Sequence, residues 1–211
     1  YPVEFYGNPV VDAVSEFSRE HTDEKAFKTK NELDGRPLIA LLAGSRKQEI
    51  HYNLPRMVQM QKAFPGYQFV LAAVNTIDDD YYREQMKHSP VKMLRGKTYE
   101  ILRFSTAALV TSGTATLETA LFNVPQIVCY RANPLSIALG RLIIKLSWIS
   151  LVNLNMDREV VRELIQGDMN EKNLEAELKS ILPGGKNREI LLNDYAELRK
   201  VMGKPGASER V

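Results

Sequence analysis

Short apolar runs alternate with segments of helical periodicity through most of this 211-residue chain, and this alternation restricts the folds open to it. Apolar runs of about four to eight residues are typical of strands buried on both faces, and apolar residues spaced three or four apart are typical of helices that cover such strands. The pattern predicts an α/β fold, a Rossmann-like doubly wound parallel sheet with helices on both faces. The predicted strands span residues 3–6, 37–42, 67–74, 91–94, 107–110 and 126–130.

The same pattern divides the chain into three parts. Residues 1–20 hold a short strand and a helix, residues 37–167 hold the Rossmann-like domain, and residues 168–211 hold C-terminal helices. The polar stretch 21–36 between the first two parts is predicted to be a loop. Beyond Pro134 the strand pattern almost ends. The helices predicted there span residues 135–145, 159–166, 171–182 and 187–201.

Composition and charge exclude several classes of protein. Hydrophobic residues make up 44% and charged residues 26% of the chain, as in soluble globular domains. The net charge of +2 is too small for the clustered basic face that nucleic acids require, so we expect no nucleic-acid partner. No apolar run approaches the ~18 residues of a membrane span, and no signal-peptide pattern occurs. The single cysteine, Cys129, lies in an apolar run, which indicates a buried thiol in a reducing, cytoplasmic compartment.

The turn after the predicted strand 37–42 contains Gly44-Ser45-Arg46, and Glu49 follows it. Ligands of doubly wound sheets bind at the carboxyl ends of the strands, where this turn lies. Glycine permits close approach of the backbone, amides at a helix N-terminus attract anions, and arginine can fork onto phosphate oxygens. A phosphate site is one interpretation. The other is an ordinary strand-to-helix turn with Ser45 as the N-cap and Arg46 in solvent.

A second strand-to-helix turn has the sequence Ser112-Gly113-Thr114-Ala115, and Glu118 follows it. Small hydroxyls and free amides at the start of a helix suit a pyrophosphate. A capped helix, with Thr114 or Ser112 as the N-cap and Glu118 favoured by the helix dipole, explains the same residues. Glu118 also favours a nucleotide, because a carboxylate behind such a turn can accept hydrogen bonds from both hydroxyls of a ribose. Together the two turns predict nucleotide binding.

Other catalytic patterns have no support in the sequence. His21, His51 and His88 are scattered through polar surroundings without the spacing of metal ligands, so we expect no metal site. The Gly-x-Ser-x-Gly elbow of one class of hydrolase does not occur.

The most apolar stretch, residues 135–149, carries Arg141 and Lys145. Such a helix can lie on a membrane surface. It can also pack against the sheet while its two basic side chains reach the solvent, and this second, more common arrangement is the one that we favour.

Several motifs occur in an order that is similar to that of one enzyme family. They are Gly7-Asn8-Pro9-Val10-Val11-Asp12, Ala43-Gly44-Ser45-Arg46, Glu49-Ile50, Ser112-Gly113-Thr114-Ala115-Thr116-Leu117-Glu118, Tyr130-Arg131, Pro134-Leu135, Ile149-Ser150-Leu151-Val152-Asn153, Arg158-Glu159-Val160-Val161, Glu163-Leu164 and Gly206-Ala207-Ser208-Glu209-Arg210. In these motifs the chain resembles lipid-A-disaccharide synthase over essentially its whole length. Asn8 stands where the family usually has histidine, and Ala43 where it commonly has proline.

The resemblance implies an inverting glycosyltransferase of the GT-B architecture, in which two Rossmann-like domains face a cleft. The implied reaction joins UDP-2,3-diacylglucosamine to lipid X (2,3-diacylglucosamine 1-phosphate) and releases UDP, in lipid A biosynthesis at the cytoplasmic face of the inner membrane of Gram-negative bacteria. The donor is a substrate, and no cofactor is expected. The chain would be the C-terminal, nucleotide-binding half of such an enzyme. Its start at Tyr1 rather than methionine also indicates a piece of a longer protein.

By the same resemblance, residues 1–20 would form the junction to a missing N-terminal domain, and residues 168–211 would pack across the domain interface. That domain would supply the general base, so the chain alone is expected to bind UDP weakly and to be inactive. An apolar surface left open on residues 187–201 would favour homo-oligomers, and the full-length protein would contact the membrane surface.

The resemblance implies roles for individual residues. Ser45 and Arg46 would approach the diphosphate, with Arg46 stabilising the departing UDP, and Glu118 would hold the ribose. The turn Lys97-Thr98-Tyr99 would offer backbone groups to the uracil. The residues Gly44, Glu49, Ser112, Gly113, Thr114 and Ala115 would complete the diphosphate site, and Asn153, Arg158 and Glu159 would lie near the donor sugar or the domain interface.

Two other functions remain open. A UDP-N-acetylglucosamine 2-epimerase shares the two-domain architecture and a similar Ser-Gly turn with a downstream glutamate, but it would lack the Ser-Leu-x-Asn and Ala-Ser-Glu-Arg segments. A non-catalytic nucleotide-binding module would bind UDP tightly without a second domain.

Overall fold

A parallel sheet of six strands organises the computed structural model, which describes residues 7–19, 23–87, 89–133 and 147–206. The strands are β1 (Leu38–Leu42), β2 (Gln68–Ala73), β3 (Lys92–Arg95), β4 (Ser105–Thr111), β5 (Gln126–Tyr130) and β6 (Arg162–Ile165). Their order across the sheet is β3-β2-β1-β4-β5-β6, and all neighbours run parallel. The chain therefore adds β2 and β3 on one side of β1 and then β4, β5 and β6 on the other side.

Helices connect the strands and flank the sheet. They are α1 (Pro9–Ser18), α2 (Glu24–Lys30), α3 (Lys47–Met57), α4 (Met60–Ala63), α5 (Asp79–Met86), α6 (Thr98–Arg103), α7 (Ala115–Leu121), α8 (Leu151–Met156), α9 (Glu171–Ile181) and α10 (Arg188–Met202), with a 3₁₀ turn at Gln166–Asp168. Short polar side chains start several of them by accepting a hydrogen bond from a first-turn amide. These N-caps are Asn8 of α1, Asp23 of α2, Ser150 of α8 and Asn170 of α9.

Each face of the sheet carries its own buried core. Because side chains alternate along a strand, Ile39 and Leu41 of β1 lie in one core while Leu38, Ala40 and Leu42 lie in the other. The first core includes apolar side chains of α3, α5, α9 and α10, and the second includes those of α2 and α6. Cys129 is buried in the first core, as predicted. The predicted fold class, a Rossmann-like doubly wound sheet with C-terminal helices, is confirmed.

Two predictions of local structure are wrong. Residues 159–166 do not form a helix, because 162–165 pair with β5 as the edge strand β6. Only Leu164 of this strand is fully buried, so its sequence lacks the long apolar run that marked the inner strands. Residues 21–36 are not all loop, since α2 begins at the Asp23 cap and buries Phe27.

Several predicted segments lie outside the described residues. These are the strand at 3–6, the helix at 135–145, His21 and His88. Among the residues that are described, no helix is long and apolar enough to cross a membrane.

The C-terminal helices belong to the core of this sheet. On α10, Leu191, Tyr195 and Leu198 are buried, and Ile190 and Val201 are 60% and 47% exposed. Tyr195 also reaches β5, where the side-chain amide of Gln126 donates to its hydroxyl at 3.3 Å. The described part of the segment 168–211 therefore stabilises the Rossmann-like domain itself, and its packing against another domain stays a prediction.

We expect Leu198→Ala to lower the free energy of unfolding by about 3 kcal/mol, because it removes a fully buried side chain and leaves a cavity. Val201→Ala on the exposed side of the same helix should change it by less than about 0.5 kcal/mol. Urea denaturation followed by circular dichroism measures both. Equal effects of the two substitutions would show that α10 does not dock on the sheet.

Candidate functional site

A cleft of about 350 Å³ opens at the carboxyl ends of β1 and β4. The strand order changes direction between these two strands, and doubly wound sheets bind their ligands at such a switch point. Its lining consists of residues from both strand-to-helix turns and from the ends of β1, β2 and β4, namely Leu42, Gly44, Ser45, Arg46, Glu49, Ala72, Val74, Thr98, Thr111, Ser112, Gly113, Thr114, Ala115 and Glu118. Every residue predicted at the two turns therefore lies at one cleft.

The first turn is closed by its own carboxylate. Glu49 Oε2 accepts hydrogen bonds from the amides of Ser45 at 2.9 Å and Arg46 at 3.3 Å. Gly44 adopts φ +105°, a conformation that favours glycine, and a Cβ there would lie 2.5 Å from Glu49 Oε2. Arg46, rather than Ser45, is the N-cap residue of α3. The alternative interpretation had Ser45 as the N-cap, and this assignment is wrong because α3 begins one residue later, at Lys47.

The Arg46 side chain reaches into solvent. Its guanidinium lies 3.3 Å from Glu49 Oε1, and the side chain is 82% exposed. An exposed ion pair of this kind holds the guanidinium only loosely, so the group is free to turn toward an anion in the cleft.

The second turn presents unsatisfied amides. Gly113 has φ +148°, and the backbone N–H groups of Gly113, Thr114 and Ala115 have no acceptor within the described residues. Thr114 is the N-cap residue of α7 without a side-chain cap. The Ser112 hydroxyl instead donates to the carbonyl of Ile149 at 2.6 Å. Three adjacent free amides at a helix start are suited to an anionic ligand.

Glu118 on α7 faces the cleft and receives a hydrogen bond from a tyrosine. The Tyr99 hydroxyl on α6 donates to Glu118 Oε1 at 2.8 Å. Burial, and then the bond to the carboxylate, raise the pKa of the Tyr99 hydroxyl far above its usual value. Tyr99 consequently stays protonated and acts as a donor throughout the physiological pH range.

Three predicted site residues lie away from the cleft. Asn153 is fully buried on α8, where its Oδ1 accepts from the amides of Val160 and Val161 at 2.8 and 2.9 Å. Arg158 forms ion pairs with two acidic residues of α10, Asp194 at 2.9 Å and Glu197 at 2.8 Å. Glu159 forms an ion pair with Arg162 of the edge strand β6 at 3.0 Å.

Sequence reasoning missed the supports of the second turn. Glu163 on β6 accepts hydrogen bonds from the Ile149 and Ser150 amides at 3.0 and 2.9 Å, and from Asn153 Nδ2 at 2.9 Å. Thr111 ends β4 at the cleft, and its buried hydroxyl has no partner within the described residues. The family motifs contained Glu163, but without the strand β6 nothing placed it beneath this turn.

Within the described ranges, no group of three or more His, Cys, Asp or Glu side chains has an arrangement that could hold a metal ion.

The sequence matches one known protein family over almost its whole length. Residues 1–209 match the family model of lipid-A-disaccharide synthetase. The chain belongs to this family. The curated lipid-A-disaccharide synthases of Syntrophus aciditrophicus and Myxococcus xanthus are 37% and 36% identical to it over 99% and 98% of its length. Each match covers 55% of the relative, so the chain spans about half the length of these curated relatives.

Solved structures share the fold at low sequence identity. The Neisseria meningitidis UDP-GlcNAc 2-epimerase bound to UDP-GlcNAc matches with a TM-score of 0.57 and 15% identity, over 97% of this chain and 52% of that one. The S. aureus MnaA-UDP co-structure matches with a TM-score of 0.61 and 15% identity, over 97% of this chain and 51% of that one. The spinosyn rhamnosyltransferase SpnG complexed with thymidine diphosphate matches with a TM-score of 0.57 and 12% identity, over 82% of this chain and 44% of that one. The fold is that of one half of a GT-B glycosyltransferase or epimerase.

Gly44→Ala should destabilise the protein more than Gly35→Ala, by at least about 1 kcal/mol, because both residues have positive φ but only at Gly44 would the new Cβ collide with another residue. At Gly35, with φ +84°, the Cβ would meet no atom within 4 Å. Chemical denaturation of the two variants measures the difference. Equal losses would contradict the close packing of Glu49 against this turn.

Asn153→Ala should lower the free energy of unfolding by about 3 kcal/mol, because it leaves two buried amides without an acceptor. Asn155→Ala on the same helix is the matched control, since Asn155 makes an exposed bond to the Leu151 carbonyl. We expect that control to change stability by less than about 0.5 kcal/mol. Thermal and urea unfolding test both, and an Asn153→Ala protein of unchanged stability would refute the structural role of this amide.

Proposed function

We propose that this chain is the donor-binding half of a lipid-A-disaccharide synthase, which transfers 2,3-diacylglucosamine from UDP to lipid X with inversion and releases UDP. The observation that carries the proposal is the cleft, where free amides, an arginine and a carboxylate meet at the β1–β4 switch point. Membership of the family supports the reaction, and the match to about half of each relative supports a second domain on the same protein.

In this proposal the diphosphate lies against the second turn. The amides of Gly113, Thr114 and Ala115 supply donors to its oxygens, and Arg46 adds a positive charge from the opposite wall. The amides of Ser45 and Arg46 are already bonded to Glu49, so the first turn contributes its guanidinium rather than its backbone. Charge builds up on the leaving UDP during transfer, and these groups stabilise it without a metal ion or cofactor.

Glu118 receives the ribose. Its Oε1 is held by Tyr99, and a carboxylate can accept further hydrogen bonds from ribose hydroxyls. The backbone at Thr98, at the start of α6, lies at the same cleft and is the proposed neighbour of the uracil.

The acceptor hydroxyl must lose a proton as it attacks the anomeric carbon, and we assign this step to a base on the second domain. The chain alone then transfers no sugar, which an assay of UDP release from donor and lipid X tests directly. The acyl chains of both substrates favour a peripheral position of the whole protein at the cytoplasmic face of the inner membrane. An epimerase is not favoured, because the solved epimerase structures that share this fold are 15% identical to the chain or less, whereas the family match covers residues 1–209.

UDP should bind to the chain, and Arg46→Ala and Glu118→Ala should each weaken binding about tenfold, since each removes a hydrogen-bonding partner that carries a charge. Isothermal titration calorimetry measures the dissociation constants. Arg83→Ala is the control, because Arg83 pairs with Asp79 and Asp80 outside the cleft.

Unchanged affinity in both cleft variants would refute this placement of the nucleotide. Very tight binding by the chain alone would instead favour a binding module that needs no second domain.

A further inference from the structure

Tyr99 stands behind Glu118, and its hydroxyl donates to one carboxylate oxygen at 2.8 Å. We propose that Tyr99 is a positioning residue, which fixes Glu118 through Oε1 and leaves Oε2 directed at the vicinal hydroxyls of a nucleotide ribose. Tyr99 itself does not line the cleft, whereas Glu118 does. The inference rests on the nucleotide-binding function proposed above and concerns how its specificity arises.

The Tyr99 ring contacts two aromatic side chains, one on α1 and one just after α7. Phe17 of α1 packs edge-on against it with ring centroids 5.4 Å apart, and Phe122, which follows α7, lies at 5.2 Å. The Arg103 guanidinium covers the Phe17 ring at 4.3 Å. The two ring contacts and the hydrogen bond of the hydroxyl together restrict the orientation of the Tyr99 side chain.

A tyrosine hydroxyl suits this task better than a basic group. It donates one hydrogen bond and leaves the negative charge of the carboxylate intact, whereas a lysine or arginine would compete as a counter-ion. No other side chain among the described residues bonds to the Glu118 carboxylate. Without Tyr99, the side chain would regain its rotational freedom and would have to be ordered again by each ligand.

The positioning role predicts a specific loss rather than a general one. A ligand with both ribose hydroxyls uses the oriented carboxylate, and a ligand without them does not. Tyr99→Phe keeps the aromatic packing and removes only the hydroxyl. It should therefore lower the affinity for the first ligand and leave the affinity for the second unchanged.

The test compares UDP with 2′,3′-dideoxy-UDP by calorimetry on the 211-residue chain. The unmodified protein should prefer UDP, and Tyr99→Phe should lower the affinity for UDP about tenfold while affinity for the dideoxy ligand stays constant. Tyr81→Phe is the matched control, because it also removes one tyrosine hydrogen bond, to the Lys47 carbonyl at 2.9 Å, outside the cleft lining. That control should keep the preference of the unmodified protein.

An equal loss for both ligands, or an unchanged preference for UDP, would overturn the positioning role. If the unmodified chain binds neither nucleotide, the proposed function fails, and crystal structures of the unmodified chain and of Tyr99→Phe without ligand decide the inference separately. A Glu118 side chain that turns away in Tyr99→Phe supports the role of the hydroxyl. One that keeps its place shows that packing alone orients the carboxylate.

Discussion

Backbone hydrogen bonds between β1 and β4 join the two halves of the sheet, and the position of the cleft follows from them. In this pairing Leu41 lies opposite Leu109 and Leu42 opposite Val110, so both strands end at the same level. The turns that follow them are consequently neighbours in space, although they lie far apart in the sequence. Each turn contains a glycine with positive φ, Gly44 in the first and Gly113 in the second, in a backbone conformation that other residues rarely adopt.

The two turns are stabilised in different ways. The first is satisfied internally, since Glu49 binds the amides ahead of its own helix. The second is anchored from outside. Glu163 of β6 holds the Ile149 and Ser150 amides, and Ile149 in turn accepts the Ser112 hydroxyl. The amides of the first turn are thus already bonded while the Arg46 side chain is exposed, and the second turn keeps its own amides available to a ligand.

The inner strands and the two turns could be predicted from the sequence because their signals are local. Continuous apolar runs mark β1, β2, β4 and β5, and the small residues after them mark the turns. β6 could not be found in this way, because it begins with two charged residues, Arg162 and Glu163, and buries only Leu164 fully.

Contacts between distant residues were equally hidden. Nothing local in the sequence links Tyr99 to Glu118, because this hydrogen bond depends on the way in which α6 and α7 are placed in three dimensions. Motif similarity grouped Asn153 with the site, whereas the structure gives its amide a buried role beneath it. Motif spacing alone does not separate residues that touch a ligand from those that support the ones that do.

The hydrogen bond from Ser112 to the Ile149 carbonyl has a spectroscopic consequence. The only tryptophan of the chain, Trp148, directly precedes Ile149 and is partly buried. A ligand that takes over the hydrogen bond of the Ser112 hydroxyl would release the backbone carbonyl of the residue next to Trp148. Tryptophan emission, excited selectively over the nine tyrosines, would therefore report on the second turn from a single indole at a known place in the sequence.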